Sequence, residues 1–249
     1  MDSTTLQNLI VLLLAHLVGD FVLQPAALLK KKDRVLWIAI HSLIHGALAY
    51  LFLGIWREWL VPVIITASHF LIDLGKQRIK RSTLSVFLAD QLLHAAVICV
   101  SVWLILIPRG VVPGWQPLLP LASYKIAAVT AAVILLIPAG GIMIDLFVQP
   151  YQKQIREHYE KEKKKPVEGL VNGGKVIGWL ERALISVFML SGQFAGIGFL
   201  VAAKSIFRFG EFKESENRKE AEYIIIGTFA SFLYAILISL ALKWVLGNL

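Results

Sequence analysis

Leu9-Ile10-Val11-Leu12-Leu13-Leu14-Ala15-His16-Leu17-Val18-Gly19-Asp20-Phe21-Val22-Leu23 is an apolar run interrupted by a histidine and an aspartate four positions apart. Residues at that spacing share one face of a helix. The device recurs at His41/His45, His69/Asp73 and Asp90/His94, each time inside a stretch apolar enough to lie in a membrane. Five of the chain's six histidines are used this way. In hydrocarbon an imidazole or carboxylate costs on the order of several kcal/mol unless it is paired, wet or metal-bound. Each of the eight residues is therefore a candidate functional residue, and their shared spacing reads as one site.

Composition supports the membrane reading. The 249 residues are 57% hydrophobic and 17% charged, with a mean hydropathy of +0.69, whereas a soluble domain carries about 25% charged residues. The opening MDSTTLQNLI has an acidic residue and no Lys or Arg, so it lacks the basic leader of a signal peptide, and the first apolar stretch reads as a retained span. The single cysteine, Cys99, excludes an internal disulfide. A net charge of +8 in such a chain is the cytoplasmic loop bias of membrane proteins rather than a nucleic-acid surface.

Hydropathy predicts apolar segments at about Leu6–Gln24, Val35–Ile55, Trp59–Gly75, Leu84–Ile107, Tyr124–Val148, Val176–Ala203 and Glu222–Leu246. Most are near the ~20 residues a crossing helix needs. Basic clusters at Lys30–Arg34, Lys76–Arg81 and Lys153–Lys175 alternate with loops poor in cations around Arg57 and Arg109. Lys and Arg gather on the cytoplasmic side, which turns the N-terminus outward. Val176–Ala203 is interrupted by Ser191-Gly192-Gln193, and a single crossing there would leave Lys204, Arg208, Lys213, Arg218 and Lys219 outside. A hairpin entering and leaving on the cytoplasmic face keeps them inside, and such backbone is tolerated where protein or water covers it. The expected fold is an all-α polytopic membrane bundle of about six spanning helices plus one re-entrant helical hairpin. It forms a single domain over 1–249, with a His/Asp-bearing four-helix bundle in 1–107. The fifth span, hairpin and last span follow in 124–249.

With this orientation all four pairs fall in the cytoplasmic half of their helices, within one slab ~10 Å thick at 1.5 Å per residue. Short connections favour antiparallel neighbours, so the polar faces can turn inward together. Imidazole with carboxylate, and no thiolate, suits Zn, Mn or Fe. Eight ligands, His16, Asp20, His41, His45, His69, Asp73, Asp90 and His94, exceed one tetrahedral ion. Two bridged ions, or one with outer carboxylates orienting its histidines, would use them. Two further readings stay open: a proton relay or ion path, and a hydrogen-bonded network joining helices.

In the second half, Glu181 and Arg182 stand at the opening of the hairpin as candidate catalytic residues, with Glu181 or Glu222 as a general base. Arg182 with Lys204 and Arg208 could clamp an anionic group such as a phosphate; interfacial charge is the plainer reading of this acid–base pair.

The string His16-x3-Asp20-Phe21-x2-Gln24, the His41/His45 and His69/Asp73 pairs and Asp90-Gln91-x2-His94 resemble the bacterial membrane family catalogued as domain of unknown function 3307. Ile177-Gly178-Trp179-Leu180-Glu181-Arg182, Ala203-Lys204-Ser205 and Glu222-Tyr223 through Gly227-Thr228 extend the resemblance over nearly the whole chain. It implies a multi-pass membrane protein and supplies no activity. A looser likeness is to bacterial inner-membrane proteins labelled metal-dependent hydrolases, whose Pro-Asp-x-Asp and His-Arg-x2-His-Ser strings this chain lacks. The expectation is a multi-pass inner-membrane protein holding one or two divalent ions. It would hydrolyse a lipid-like or phosphorylated amphiphile at the cytoplasmic leaflet, with membrane lipids as partners and no nucleic acid. A metal-ion or proton transporter, or a non-catalytic scaffold, are the alternatives.

Overall fold

The structure is a computed structural model describing residues 2–23, 34–79, 81–115, 121–162, 170–209 and 218–249. Gln24 and the Lys30–Asp33 part of the first basic cluster lie outside the described residues. Every regular element described is helical, as expected. Among the described residues, five helical stretches are long and apolar enough to cross a membrane: Ser3–Phe21, Val35–Leu53, Leu84–Leu106, Leu121–Lys161 and Lys219–Asn248. The expected third span is a helix too, Leu60–Gln77, but its polar residues His69, Asp73, Lys76 and Gln77 keep it out of that set.

The chain divides into two compact units, Met1–Ile134 with Trp244–Leu249, and Leu135–Lys243. In the first, α1 (Ser3–Phe21), α2 (Arg34–Leu53), α3 (Leu60–Gln77) and α4 (Leu84–Ser101) pack in sequence, and α4 returns to α1, closing a four-helix ring. Asp2 starts α1 by accepting from the Thr5 backbone N–H at 2.9 Å. Thr83 does the same for α4 through Val86 N–H at 3.4 Å; both are N-cap residues that satisfy a donor the helix leaves free. Helix α5 (Leu121–Ile134) packs along α1. Between α2 and α3 the approach is close, since a Cβ on Gly46 would fall 1.9 Å from Thr66 Oγ1.

Burial in this unit departs from that of a soluble bundle, although an apolar core is also present. Asn8, His45, His69, Asp90 and His94 are buried, while Leu92 is 68% and Leu104 71% exposed. Polar groups inward and large aliphatics outward suit a lipid surround. Antiparallel order stacks the interior in layers: Leu12, Leu53, Val61 and Val102 form one apolar layer, and the histidines and aspartates follow it on α1 and α3 and precede it on α2 and α4. Beyond Ser101, α4 continues as a π-helical turn over Val102–Leu106, with Ile107 N–H donating to Val102 O at 3.0 Å.

The second unit opens with another π-helical turn, Leu135–Ala139, carrying Pro138. It leads into α6 (Gly140–Glu162). A proline inside a helix removes a donor and breaks the ladder, which the sequence signals through Pro138, Gly140 and Gly141. Next come α7 (Gly173–Ser191) and α8 (Phe194–Phe209), then α9 (Arg218–Asn248), whose last residues from Trp244 belong to the first unit. The expected interruption is real: Gly192 adopts φ +74°, and Gln193 N–H donates to Phe188 O at 2.8 Å, closing α7. A left-handed glycine is the usual terminator at that position. Leu136, Ile185, Met189, Phe232 and Ala235 form the core of this unit.

Candidate metal centre

Each of the four helices delivers two polar side chains to the same depth of the first unit. Asp20, one turn after His16 on α1, is the hub. Its Oδ1 lies 3.1 Å from His41 Nε2, 3.1 Å from His45 Nε2 and 3.5 Å from His69 Nε2. Its Oδ2 lies 3.6 Å from His16 Nε2 and accepts from Gln91 Nε2 at 2.9 Å. Asp73 Oδ2 stands 3.4 Å from His69 Nδ1 and 4.0 Å from His41 Nε2. On α4, the His94 ring is set by a 2.9 Å contact between Nδ1 and the Asp90 carbonyl oxygen.

The rings crowd one another. Centroids of His45 and His69 are 3.7 Å apart, those of His69 and His94 4.0 Å, and those of His16 and His94 5.0 Å. Gly19 makes room for this, because a Cβ there would sit 2.4 Å from His45 Cε1. Between His16, His45, His69 and His94 remains a void of about 10 Å³, near the least that holds one water-sized particle.

Polar atoms buried this deeply are normally hydrogen-bonded. Here both nitrogens of His45 and of His69, His94 Nε2 and Asp90 Oδ1 have no hydrogen-bond partner. His45 and His69 do lie close to carboxylate oxygens, but the rings are not aimed along a hydrogen bond, and each residue is only 1% exposed. Close-set imidazole nitrogens that neither donate nor accept are available as ligands. Donor atoms of His16, Asp20, His45 and His69 lie within 4.8 Å of one another, as do those of His41, His69 and Asp73 and those of Asp73, Asp90 and His94. All eight residues read from the sequence fall in these three overlapping groups, any of which could hold a metal ion.

Separations support that reading. Ligands at about 2.0–2.1 Å on a tetrahedral ion lie roughly 3.4 Å apart; Asp20 Oδ1 stands 3.1 and 3.5 Å from the Nε2 atoms of His45 and His69, and Asp20 Oδ2 3.6 Å from that of His16.

Two side chains complete the centre. Gln91 donates to Asp20 and lies 3.4 Å, through Oε1, from His16 Nε2, so it fixes both. Lys76 Nζ donates to Asp90 Oδ2 at 2.6 Å. Sequence reading assigned Lys76 to a basic loop; its spacing from His69 and Asp73, at i+7 and i+3, was the signal that it shares their face.

The two candidate catalytic residues are in the second unit. Glu181 places Oε1 2.7 Å and Oε2 2.8 Å from Lys204 Nζ. Arg182 is buried and donates to the carbonyl oxygens of Leu136 and Ile137 and to Ser231 Oγ. With Tyr234, whose hydroxyl donates to Leu135 O at 2.8 Å, it occupies three successive carbonyls at the π-helical turn. The side chain of Arg208 lies outside the described residues.

Residues 8–112 match the model of a family described as "Protein of unknown function (DUF3307)". The match begins within α1, ends just beyond the π-helical end of α4 and includes all eight donors. No curated protein and no solved structure matches the chain. The looser likeness to metal-dependent hydrolases gains no support from these comparisons.

Proposed function

Starting from the match of residues 8–112 to that family's model, whose description names no activity, we propose that the protein is a multi-pass membrane metalloprotein. One or two divalent ions, Zn, Mn or Fe, would be held by His16, Asp20, His41, His45, His69, Asp73, Asp90 and His94. The observation that carries this is the set of buried imidazole nitrogens without a hydrogen bond, both of His45 and of His69 and Nε2 of His94, in groups of close-set donors around Asp20, Asp73 and Asp90.

Charge balance points the same way. Asp20, Asp73 and Asp90 bring three negative charges against the single ammonium of Lys76. With neutral imidazoles, two negative charges stay uncompensated among lipid-facing helices, a strongly unfavourable state. One divalent cation cancels them. Two protons on the histidines would do so as well, which is the relay reading.

We assign the centre to hydrolysis of a lipid-like or phosphorylated amphiphile at the cytoplasmic side of the inner membrane, with the N-terminus outside. A divalent ion at such a site supplies an activated water at neutral pH. Within the chain, Asp20 would position the imidazoles and Gln91 would hold Asp20. The apolar layer of Leu12, Leu53, Val61 and Val102 closes the bundle to one side of the donors, which favours a blind site over a conduit.

Elemental analysis of protein purified without chelator should find Zn, Mn or Fe, and both His45→Ala and Asp73→Ala should lose it. Unchanged metal content in the two variants would end this reading. Metal uptake by proteoliposomes without any hydrolytic turnover would assign transport instead.

A further inference from the structure

A cavity of about 770 Å³ opens in the second unit, between α6, α7, α8 and α9. That is within the range of about 300–1,000 Å³ typical of small-molecule sites. Missing side chains create part of it: Gly141, Gly174, Gly178 and Gly227 all line the walls, and at Gly174 a Cβ would meet nothing within 4 Å.

Its charged lining is Asp145, Lys175, Glu181, Arg182 and Lys204. Glu181 commits both oxygens to Lys204, so that pair is neutral. Lys175 and Asp145 are exposed and cancel in sum. Arg182 has no such offset. It is 3% exposed, and no carboxylate among the described residues lies within ion-pair distance of it. Its described partners are two carbonyls and a hydroxyl. A guanidinium has five N–H donors, so two remain for a ligand. Leaving a buried cation without a counter-charge is strongly unfavourable, and a planar guanidinium is the side chain best shaped for phosphate. Ile144, Val148 and Leu200 add an apolar stretch to a wall that also carries Gln152, Tyr223, Thr228 and Ser231.

We propose that this cavity binds the monoanionic phosphodiester head of a phospholipid-like amphiphile, with the phosphate on Arg182 and Lys175 and the first carbons of the chain along Ile144, Val148 and Leu200. Tyr223 lines the same space and its hydroxyl accepts from Gln152 at 2.8 Å, which leaves its own proton to donate. The assignment deepens the proposed function by naming a head-group site, and it rests on the membrane part of that reading and not on the metal centre.

The test uses the full chain in detergent micelles, titrated with phosphatidylglycerol and read by native mass spectrometry, with metal content measured on the same samples. One phosphatidylglycerol per chain is expected to be retained in preference to phosphatidylcholine, whose ammonium cancels the phosphate charge. Gly174→Phe fills the cavity from a position open to it, and Lys175→Gln removes one phosphate partner. Each should weaken binding by about tenfold or more, with metal content unchanged. Arg182→Gln also strips the carbonyls of the π-helical turn, so Gly174→Phe carries the decision. Equal phosphatidylglycerol binding by wild type and Gly174→Phe would overturn the proposal. So would equal binding of phosphatidylcholine, or displacement of the lipid by inorganic phosphate at the same concentration, which would mark a small-anion site. Retained lipid binding in protein devoid of metal would remove the metal centre alone.

Discussion

A methyl group on Gly19 would fall 2.4 Å from Cε1 of His45 and 2.5 Å from its Nε2, closer than carbon approaches either atom. Gly19→Ala is expected to push the His45 ring off Asp20, lower metal content and destabilise the bundle by about 1–3 kcal/mol, read by elemental analysis and thermal unfolding. Lys76 makes the opposite prediction. Its ammonium competes with any cation for Asp90, so Lys76→Met should tighten divalent-ion binding by about tenfold, measured by competition with a chelating dye. The eight donors were legible in the sequence because hydrocarbon makes each ionisable residue conspicuous and a spacing of four puts both members of a pair on one face. Lys76 was not, because a lysine at the end of an apolar helix looks the same whether it reaches outward to water or back to Asp90. Gln91 was visible beside Asp90, but its grip on Asp20 crosses between helices and has no local signature.

Among the elements, α4 presents two of the eight donors, and its start depends on Thr83. Thr83→Ala removes the acceptor for Val86 N–H and should cost about 1 kcal/mol, seen as a lower unfolding temperature with metal content preserved. The break between α7 and α8 could be read from Ser191-Gly192-Gln193, because a glycine flanked by polar residues inside an apolar run is a helix terminator. Arg182 resisted such reading. Beside Glu181 it resembles half of an acid–base pair, yet its described bonds go to carbonyls at the π-helical turn over Leu135–Ala139. Pro138 accounts for the interrupted ladder at that turn, and nothing in its neighbourhood shows which side chain satisfies the freed acceptors.

For the whole molecule, metal binding should appear as stability. Chelation is expected to lower the unfolding temperature of wild type and leave His45→Ala unaffected, since a ligand at a hundred times its Kd contributes about 2.7 kcal/mol. The all-helical character and the long apolar helices were legible because the apolar residues fall in continuous runs of about 20, the length of a crossing helix, rather than in the short alternating segments of a barrel. How the helices group was less so. The second half was expected to begin with the fifth apolar segment, whereas α5 belongs to the first unit and buries Tyr124 in its core. Residues 121–134 carry little polar punctuation, so hydropathy marks the segment as apolar without showing which face meets α1.

The wide turn at Val102–Leu106 has a bearing on tolerance to length change. A π turn accommodates one residue more than an α-helix needs over the same rise, and this one lies wholly after Asp90, Gln91 and His94. Removing a single outward-facing residue such as Trp103 would let the turn relax to α-helical winding while the donor register upstream stays untouched. The helix thus keeps its slack on the side away from Asp90 and His94, so a one-residue change of length there is expected to leave the placement of both side chains undisturbed.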